Sequence, residues 1–304
     1  MPFRAPTSLA ARVFTRMPDE FRRKRQNAWT DANRGGRAID SFLEGPSFDR
    51  AGNLWVVDAP FGRVFRISPE GAWTLVAEYD GWPNGLTIHR DGRVFLADYK
   101  NGLMVLDAAS GRIAPTVEAN WSESFKGLND LIFAGDGDLY FTDQGQTGWQ
   151  DPTGRVYRLS SAGRLERLIA TIPSPNGIVL NAAETQIYVA VTRDNSVWRL
   201  PLMLDGSVSK AGVWIRLSGG HAGPDGMALD EEGGLVVCQL GIGVWRFDAL
   251  GRPTHLVALP GEAYGTNVAF GGAGFRTLFI TESESGAILA AELPVPGRRL
   301  FSHA

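Results

Sequence analysis

Six segments of the chain each open a short apolar stretch with a carboxylate or an amide residue. Their first residues, spaced 40, 45, 47, 49 and 42 positions apart, are Glu44, Asn84, Asn129, Asn176, Asp225 and Asn267. Two carboxylates and four amides, with no lysine or arginine among them, are oxygen donors with net negative charge, which suits a hard divalent cation. A single Asn-Gly pair would be typical of a turn, but six phased copies favour a metal site.

The donor type narrows the choice of ion without deciding it. Oxygen ligands favour calcium, magnesium or manganese on hardness, and we expect calcium. Zinc and ferrous iron stay open, because metal availability also decides which ion occupies a site. The sequence therefore predicts one divalent metal ion as the cofactor.

Internal repeats indicate which elements position these residues. A turn rich in Asp and Gly precedes an alternating apolar strand at residues 49–58, 91–98 and 136–143, with weaker copies at 184–191, 232–238 and 276–282. Six copies with this period leave room for four short strands each, and four-stranded sheets repeated radially form a β-propeller. We predict an all-β, six-bladed β-propeller whose innermost strands bring the six polar residues to one channel.

Composition excludes several classes of protein. The 304-residue chain has a net charge of −3 and no apolar run of 18 residues, so neither general nucleic-acid binding nor a membrane-spanning helix is expected. A single cysteine, Cys238, excludes an intrachain disulfide and a cysteine-caged zinc. Cys238 lies in an apolar strand, and we expect it to pack rather than to react.

The N-terminus differs in charge from the rest of the chain. Residues 1–40 contain nine Arg or Lys and four acidic residues, and we predict a basic N-terminal extension there, followed by the propeller over residues 41–304. Arg12 interrupts the only apolar stretch that resembles a signal peptide, so we expect the segment to be retained and the protein to be cytoplasmic.

The motifs resemble those of the regucalcin/gluconolactonase family. The resemblance rests on Glu44-Gly-Pro46, Asn129-Asp130, residues 174–177 and residues 224–226, and covers about residues 40–295. It implies a six-bladed propeller with one catalytic divalent ion that mostly hydrolyses lactones. The family's metal ligands correspond to Glu44, Asn176, Asp225 and Asn129. Residues 129–133 and 140–143 look most like bacterial gluconolactonases and drug-responsive lactonases.

The site indicates a mechanism for lactone opening. A divalent ion can polarise the carbonyl and lower the pKa of a water molecule. Asp225 is our candidate general base, because a carboxylate beside the ion can reach the attacking water. Asn129 is the second candidate catalytic residue, since its amide can orient the substrate.

One departure from the family bears on the substrate. Sugar lactonases of the regucalcin type carry an arginine two residues before the position of Asn129, and here that residue is Gly127. The candidate substrate-binding residues are Asn84, Asn129, Trp82, Trp149, Gln146 and His221. Two tryptophans would favour a ring stacked on an aromatic face.

These observations predict a metal-dependent lactonase acting on a small sugar lactone such as an aldonolactone. One alternative is a hydrolase of aromatic or hydrophobic lactones or of phosphotriesters. An alternative of another class is a non-catalytic propeller that binds calcium or a protein. The expected partner is a small-molecule lactone, with no nucleic acid and no membrane, and the chain is expected as a monomer or homodimer.

Overall fold

The computed structural model describes residues 5–303, in which six largely antiparallel sheets are arranged as a β-propeller. Blades one and two contain Leu43–Phe48, Leu54–Asp58, Arg63–Ile67 and Trp73–Glu78, then Pro83–Ile88, Val94–Asp98, Gly102–Asp107 and Arg112–Val117. Blades three and four contain Leu128–Phe133, Leu139–Asp143, Gly154–Leu159 and Leu165–Ile172, then Pro175–Leu180, Gln186–Val191, Ser196–Pro201 and Gly212–Arg216. Blades five and six contain Pro224–Leu229, Leu235–Gln239, Gly243–Phe247 and Pro253–Ala258, then Gly265–Gly271, Thr277–Glu282 and Ala287–Glu292. The six-bladed all-β fold predicted from the repeats is confirmed.

The remaining elements are short. One α-helix, α1, covers Ala28–Arg34, and a two-stranded hairpin pairs Ala119–Asn120 with Glu123–Ser124. Single 3₁₀ turns lie at Asp19–Phe21, Ala59–Phe61, Thr192–Asp194, Ala273–Phe275 and Phe301–His303. Among the described residues, no helix has the length and apolar character needed to cross a membrane.

The first strand of each blade is the innermost, and these six strands contact one another in a closed cycle. Apolar side chains bury the faces between consecutive blades: Val57 and Val64 of blade one, for example, pack with Leu86 and Leu96 of blade two. Cys238 is fully buried in the cluster between blades five and six. No blade could bury both of its faces alone, so the ring behaves as one folding unit.

The segment that the sequence predicts as an extension supplies two strands to the propeller. Arg12–Arg16 pairs antiparallel with Ala287–Glu292 and becomes the outer strand of blade six. Thr7–Ala10 lies parallel to Pro253–Ala258 and gives blade five a fifth strand. We expected a separate extension, but part of it belongs to the propeller. Blade six has only three strands from its own part of the chain, and Arg12–Arg16 supplies the fourth.

Contacts across blades one and six reinforce this closure. Phe14 packs edge-on against Phe279, with ring centroids 5.1 Å apart. The neighbouring Thr15 donates its hydroxyl hydrogen to the carbonyl of Gly71 at 2.8 Å, and the indole of Trp73 donates to the same hydroxyl at 3.1 Å. The N-terminal strand therefore joins blade six to blade one.

Every innermost strand carries a register shift where the predicted ring begins. In blade three, Leu128 pairs with Asp143 and Leu131 pairs with Phe141, so three residues advance on one strand against two on the other. The other five blades show a shift at the corresponding point. Such β-bulges re-aim side chains and recur beside functional sites. The carboxylates and amides therefore lie at or beside a bulge at one end of the channel.

Candidate functional site

The six predicted ring residues are brought together at the start of the innermost strands. The side-chain amide of Asn84 donates to the backbone carbonyl of Asn129 at 3.3 Å. The hydroxyl of Thr142 donates at 2.7 Å to the carbonyl of Asn176, which joins blades three and four. Between blades six and one, Asn267 lies close enough to Glu44 to lower the pKa of that carboxyl group, and the charge of Asp225 raises it.

Close contact between blades explains the glycine that follows most of these residues. A Cβ on Gly85 would lie 2.7 Å from the backbone oxygen of Asn129, and one on Gly177 would lie 2.4 Å from the backbone oxygen of Asp225. A Cβ atom cannot lie this close to a backbone oxygen. Glycine is therefore required for adjacent innermost strands to come into contact at these positions. The Asn-Gly pairs therefore mark bulged strands rather than turns.

Blade three departs from this pattern, and the departure adds a third carboxylate. Where most blades have glycine after the ring residue, this blade has Asp130, which is buried and lines the channel. Its backbone N–H donates to Thr142 at 3.0 Å, and its carboxylate accepts from the N–H of Leu131 at 2.9 Å. Sequence reasoning did not assign Asp130 to the site, although an aspartate replacing a repeated glycine was a usable signal.

Burial dominates the electrostatics of the three carboxyl groups. Desolvation, followed by the nearby Asp225, raises the pKa of Glu44 well above its ordinary value. Desolvation raises the pKa of Asp225 to about 7, with hydrogen bonding from Asn176 opposing the shift. Desolvation also raises the pKa of Asp130 to about 6. Three buried acids that repel one another indicate a place where a cation would stabilise the charged forms.

An unpartnered oxygen points to the same conclusion. The side-chain Oδ1 of Asn129 is buried and accepts no hydrogen bond from any residue between 5 and 303. Its Nδ2 donates to Oε1 of Gln144 at 2.7 Å. A buried oxygen without a donor is costly unless another electropositive group approaches it. Together with the carboxylates of Glu44 and Asp225, this oxygen fits the donor set of a hard divalent ion.

The ring combines acidic side chains with amides, so it is not a cluster of acidic residues alone. Within residues 5–303, no group of three or more His, Cys, Asp or Glu side chains is arranged to hold a metal ion. A site here would therefore combine carboxylates with amide oxygens. The roles assigned from the sequence to Glu44, Asn176, Asp225 and Asn129 as ligands stay predictions.

Acidic residues at the ends of the second strands hold the segments that enter the ring. Asp58 accepts from the N–H of Phe42 at 2.8 Å and pairs with Arg63. Asp143 accepts from the N–H groups of Lys126 and Gly127 at 2.7 and 2.9 Å. These two carboxylates hold the backbone directly before Glu44 and Asn129 by accepting from its N–H donors.

Helix α1 lies on the face of the propeller where the ring opens. Asn27 caps its N-terminus, accepting from the N–H of Thr30 at 3.0 Å, and donates its side-chain amide to the carbonyl of Pro60 at 2.8 Å. Trp29 packs into a cluster that includes Phe61 and the predicted substrate residue Trp82. The N-terminal segment therefore covers part of the mouth.

Arg34 at the end of α1 places positive charge near the ring. It forms an ion pair with Glu284 at 3.3 Å and stacks over the ring of Phe42 at 4.9 Å. Its charge also interacts with Asp225. Sequence reasoning grouped Arg34 with the basic extension and did not place it at the site, because only the closed fold brings residue 34 beside residue 225.

An aromatic residue occupies the space where the family's arginine was expected. A Cβ on Gly127 would lie 2.6 Å from the ring of Tyr99, so the departure at this position follows from the packing of that ring. The hydroxyl of Tyr99 accepts from Nε2 of Gln146 at 3.0 Å, and Gln146 also donates to Asn33 of α1 at 3.3 Å. The predicted substrate residue Gln146 thus bridges the mouth of blade three and the covering helix.

The other predicted substrate residues lie in different environments. Trp82 is half-buried, and its ring centroid lies 5.9 Å from that of Tyr99. Trp149 is 62% exposed on the loop after blade three's second strand. His221 is exposed and packs against Tyr264, with ring centroids 5.4 Å apart. Trp82, Tyr99 and Gln146 share one part of the mouth, and among residues 5–303 no hydrogen bond or ring contact joins Trp149 or His221 to them.

The channel continues below the ring as a mostly apolar cavity of about 200 Å³. Its lining includes Met227 and Val268 near the middle and Phe301 at the far end. The hydroxyl of Ser302 donates to the carbonyl of Phe48 at 3.2 Å, which holds the C-terminal turn against blade one. The C-terminal segment therefore closes the end of the channel opposite the ring.

Comparison with known proteins places this geometry in context. The family model described as the SMP-30/gluconolactonase/LRE-like region matches residues 42–284. The chain is 32% identical over 235 residues to a protein named lactonase drp35 from Staphylococcus aureus, covering 73% of this chain and 71% of that protein.

Two solved structures share the fold over nearly the whole chain. A gluconolactonase from Xanthomonas campestris is 22% identical, with a TM-score of 0.75 over 97% of this chain and 99% of its own. A calcium-binding protein, regucalcin, from Agrobacterium tumefaciens is 24% identical, with a TM-score of 0.76 over 98% of both chains. At this level of identity the two structures establish the shared propeller.

Proposed function

The chain belongs to the SMP-30/gluconolactonase/LRE-like family, and we propose that it is a metal-dependent lactonase that opens a lactone to the corresponding hydroxy acid. The similarity to lactonase drp35 supports lactone hydrolysis as the reaction. The unpartnered, buried Oδ1 of Asn129 beside the ring of buried carboxylates is the observation that carries the metal dependence.

Four residues of the ring would hold the ion. Glu44 and Asp225 supply negative charge, and Asn129 and Asn176 supply neutral amide oxygens. Calcium suits such an all-oxygen set, and regucalcin is itself described as calcium-binding. When bound, a divalent ion supplies Lewis-acid polarisation of a carbonyl and makes water more acidic.

The protein's own residues then orient the reactants and move the proton. Asp225 accepts the proton of the attacking water, because a carboxylate beside the ion can reach that water. Asn129 orients the lactone. Helix α1 covers part of the mouth and limits the access of bulk water.

Replacing Asp225 with asparagine tests the assignment of the base. Asp225→Asn keeps an oxygen ligand but cannot accept the proton, so kcat should fall by about 10²–10⁴ while the ion stays bound. Turnover at the wild-type rate from a variant that still binds the ion would show that another group is the base.

The mouth supports two classes of lactone. We propose a small aldonolactone as the substrate, in line with the reaction named for the gluconolactonase relative. The half-buried rings of Trp82 and Tyr99 favour a second candidate, a lactone with an aromatic or hydrophobic substituent, because they present apolar faces where an arginine was expected.

A pH-indicator assay tests the proposal. Chelator-treated protein is mixed with a panel of aldonolactones and aromatic lactones, and each divalent metal is added back in turn. We expect acid release that depends on the metal and is confined to one of the two lactone classes. Folded, metal-bound protein that opens no lactone would contradict the proposal and would favour a phosphotriester substrate or a binding-only propeller.

A further inference from the structure

We infer that Gln144 is a positioning residue, which turns the side-chain amide of Asn129 so that its oxygen faces the candidate metal ring. This inference rests on the metal-binding part of the proposed function and not on the identity of the lactone. Gln144 itself lies behind the ring, and the sequence suggested it only as the first residue of a candidate substrate loop, 144–149, without a role of its own.

The hydrogen bonds of two amides carry the inference. Nδ2 of Asn129 donates to Oε1 of Gln144 at 2.7 Å, and Nε2 of Gln144 donates to Oγ of Ser174 at 2.9 Å. A carboxamide has one acceptor end and one donor end. Because Gln144 takes the donor end of Asn129, the acceptor end is the one left free, and it is the buried Oδ1 without a partner.

The backbone of Gln144 is held on both sides. Its N–H donates to the carbonyl of Gly127 at 2.9 Å, and its own carbonyl accepts from the hydroxyl of Thr147 at 2.5 Å. The preceding Asp143 is fully buried and bound by the two N–H groups that lead into Asn129. Gln144 and Asn129 are therefore parts of one rigid unit at the end of blade three.

The far end of the chain of hydrogen bonds is equally well defined. Ser174 is 2% exposed, and its N–H donates to the hydroxyl of Thr147 at 3.1 Å. Its φ of 67° lies in the left-handed region, which is uncommon for a residue other than glycine. Strained backbone of this kind persists where the surroundings hold it and clusters at functional sites. Ser174 also precedes Pro175 and Asn176, so the same unit reaches a second proposed ligand.

Loss of Gln144 would change what Asn129 presents to the ring. Without an acceptor behind it, the amide of Asn129 is free to rotate, and its N–H₂ group would find the carboxylates of Glu44 and Asp225 as acceptors. That orientation presents hydrogen atoms instead of an oxygen to a cation. Partners that orient metal ligands in this way typically change metal affinity by about 10–100-fold when they are removed.

Calcium titration of the purified full-length protein, without any lactone, tests the inference. Isothermal titration calorimetry should show that Gln144→Leu binds Ca²⁺ about 10–100-fold more weakly than the wild type. Gln144→Glu retains an acceptor for Asn129 and can accept from Ser174, so it should bind Ca²⁺ at least as tightly as the wild type. Gln150→Leu, at an exposed position of the same loop, is the matched control and should leave the affinity unchanged.

A second variant guards against loss of folding in Gln144→Leu. Ser174→Ala removes only the hydroxyl that anchors Gln144, and it should weaken Ca²⁺ binding in the same direction by about fivefold. Wild-type affinity in folded Gln144→Leu and in Ser174→Ala would overturn the positioning role while leaving the lactonase proposal intact. A folded wild-type protein that binds none of Ca²⁺, Mg²⁺, Mn²⁺, Zn²⁺ and Fe²⁺ would overturn both.

Discussion

The ring of Tyr99 fills the space beside Gly127, where a Cβ would lie 2.6 Å from its ring carbons. Gly127 also adopts a φ of 146°, which residues with a Cβ rarely adopt. Both the space and the backbone conformation therefore favour glycine here. At this position, two residues before Asn129, sugar lactonases of the regucalcin type carry an arginine. Here the ring of Tyr99 occupies that space instead. Glycine at position 127 therefore allows the mouth to present an aromatic ring where those lactonases have a charged side chain.

Truncation of Tyr99 should separate the two candidate substrate classes. If an aromatic or hydrophobic lactone packs on this ring, Tyr99→Ala should raise its KM by about tenfold or more, since stacking on an aromatic face contributes about 0.5–1.5 kcal/mol beyond area burial. Tyr99→Phe keeps the ring and removes only the hydrogen bond to Gln146, so its KM should stay near the wild-type value. Equal KM values for all three proteins would remove Tyr99 from substrate binding.

The glycines after the ring residues should be required for packing between blades. Gly85→Ala would place a methyl group 2.7 Å from backbone atoms of blade three, and we expect a loss of about 1–3 kcal/mol in the free energy of unfolding. Gly212→Ala is the matched control, because a Cβ there has no neighbour within 4 Å. Urea unfolding of both variants measures the difference, and equal stabilities would argue against this role of the glycine.

The N-terminal strand should contribute to the closure of the ring. Phe14 faces Phe279, whereas its neighbour Val13 is 39% exposed. Phe14→Ala should therefore lower the free energy of unfolding by about 1–3 kcal/mol, less than for a fully buried phenylalanine. Val13→Ala should change it by less than about 0.5 kcal/mol. If the two variants unfold alike, the strand pairing does not stabilise the propeller.

Part of this architecture could be predicted from the sequence. The alternating strands repeat with a nearly constant period, so the six blades and the ring residues follow from their phase. The two N-terminal strands, Thr7–Ala10 and Arg12–Arg16, could not be found in this way. They are short, half-exposed and separated by more than 200 residues from their partners, and pairing of that kind leaves no local periodicity.

The site shows the same division. Glu44, Asn176 and Asp225 share a position in the repeat, which made them visible. Gln144 acts only through its contact with Asn129, and a half-buried glutamine in a loop has no distinguishing pattern. Asp130 was visible only as an exception to the glycine that follows the ring residue in four of the six repeats. Residues defined by a repeat were therefore found, and residues defined by a side-chain contact were not.

The raised carboxyl pKa values predict how stability responds to pH in the metal-free protein. An acid whose pKa is higher when folded binds more protons in the folded state, so its stabilising contribution is present at low pH and is lost as the pH rises through that pKa. For Asp225, with a pKa of about 7, this stabilising contribution should be lost as the pH rises from about 4 to about 7.

A charge-neutral variant isolates this effect from other titrating groups. In chelator, Asp225→Asn should melt at a higher temperature than the wild type at about pH 8, and the difference should shrink as the pH falls toward the ordinary range of an aspartic acid. Added Ca²⁺ should stabilise the wild type more than the variant. A wild type that is the more stable protein at high pH without metal would show that Asp225 is not an uncompensated buried charge.

The most direct test of the central claim measures ion binding and lactone opening in the same samples. Chelator-treated protein is titrated with Ca²⁺, and the bound ion and the rate of acid release from a responsive lactone are recorded at each step. The account predicts that the rate rises in proportion to the bound ion and reaches its plateau at one ion per chain. Full turnover in samples with no bound divalent ion would contradict it.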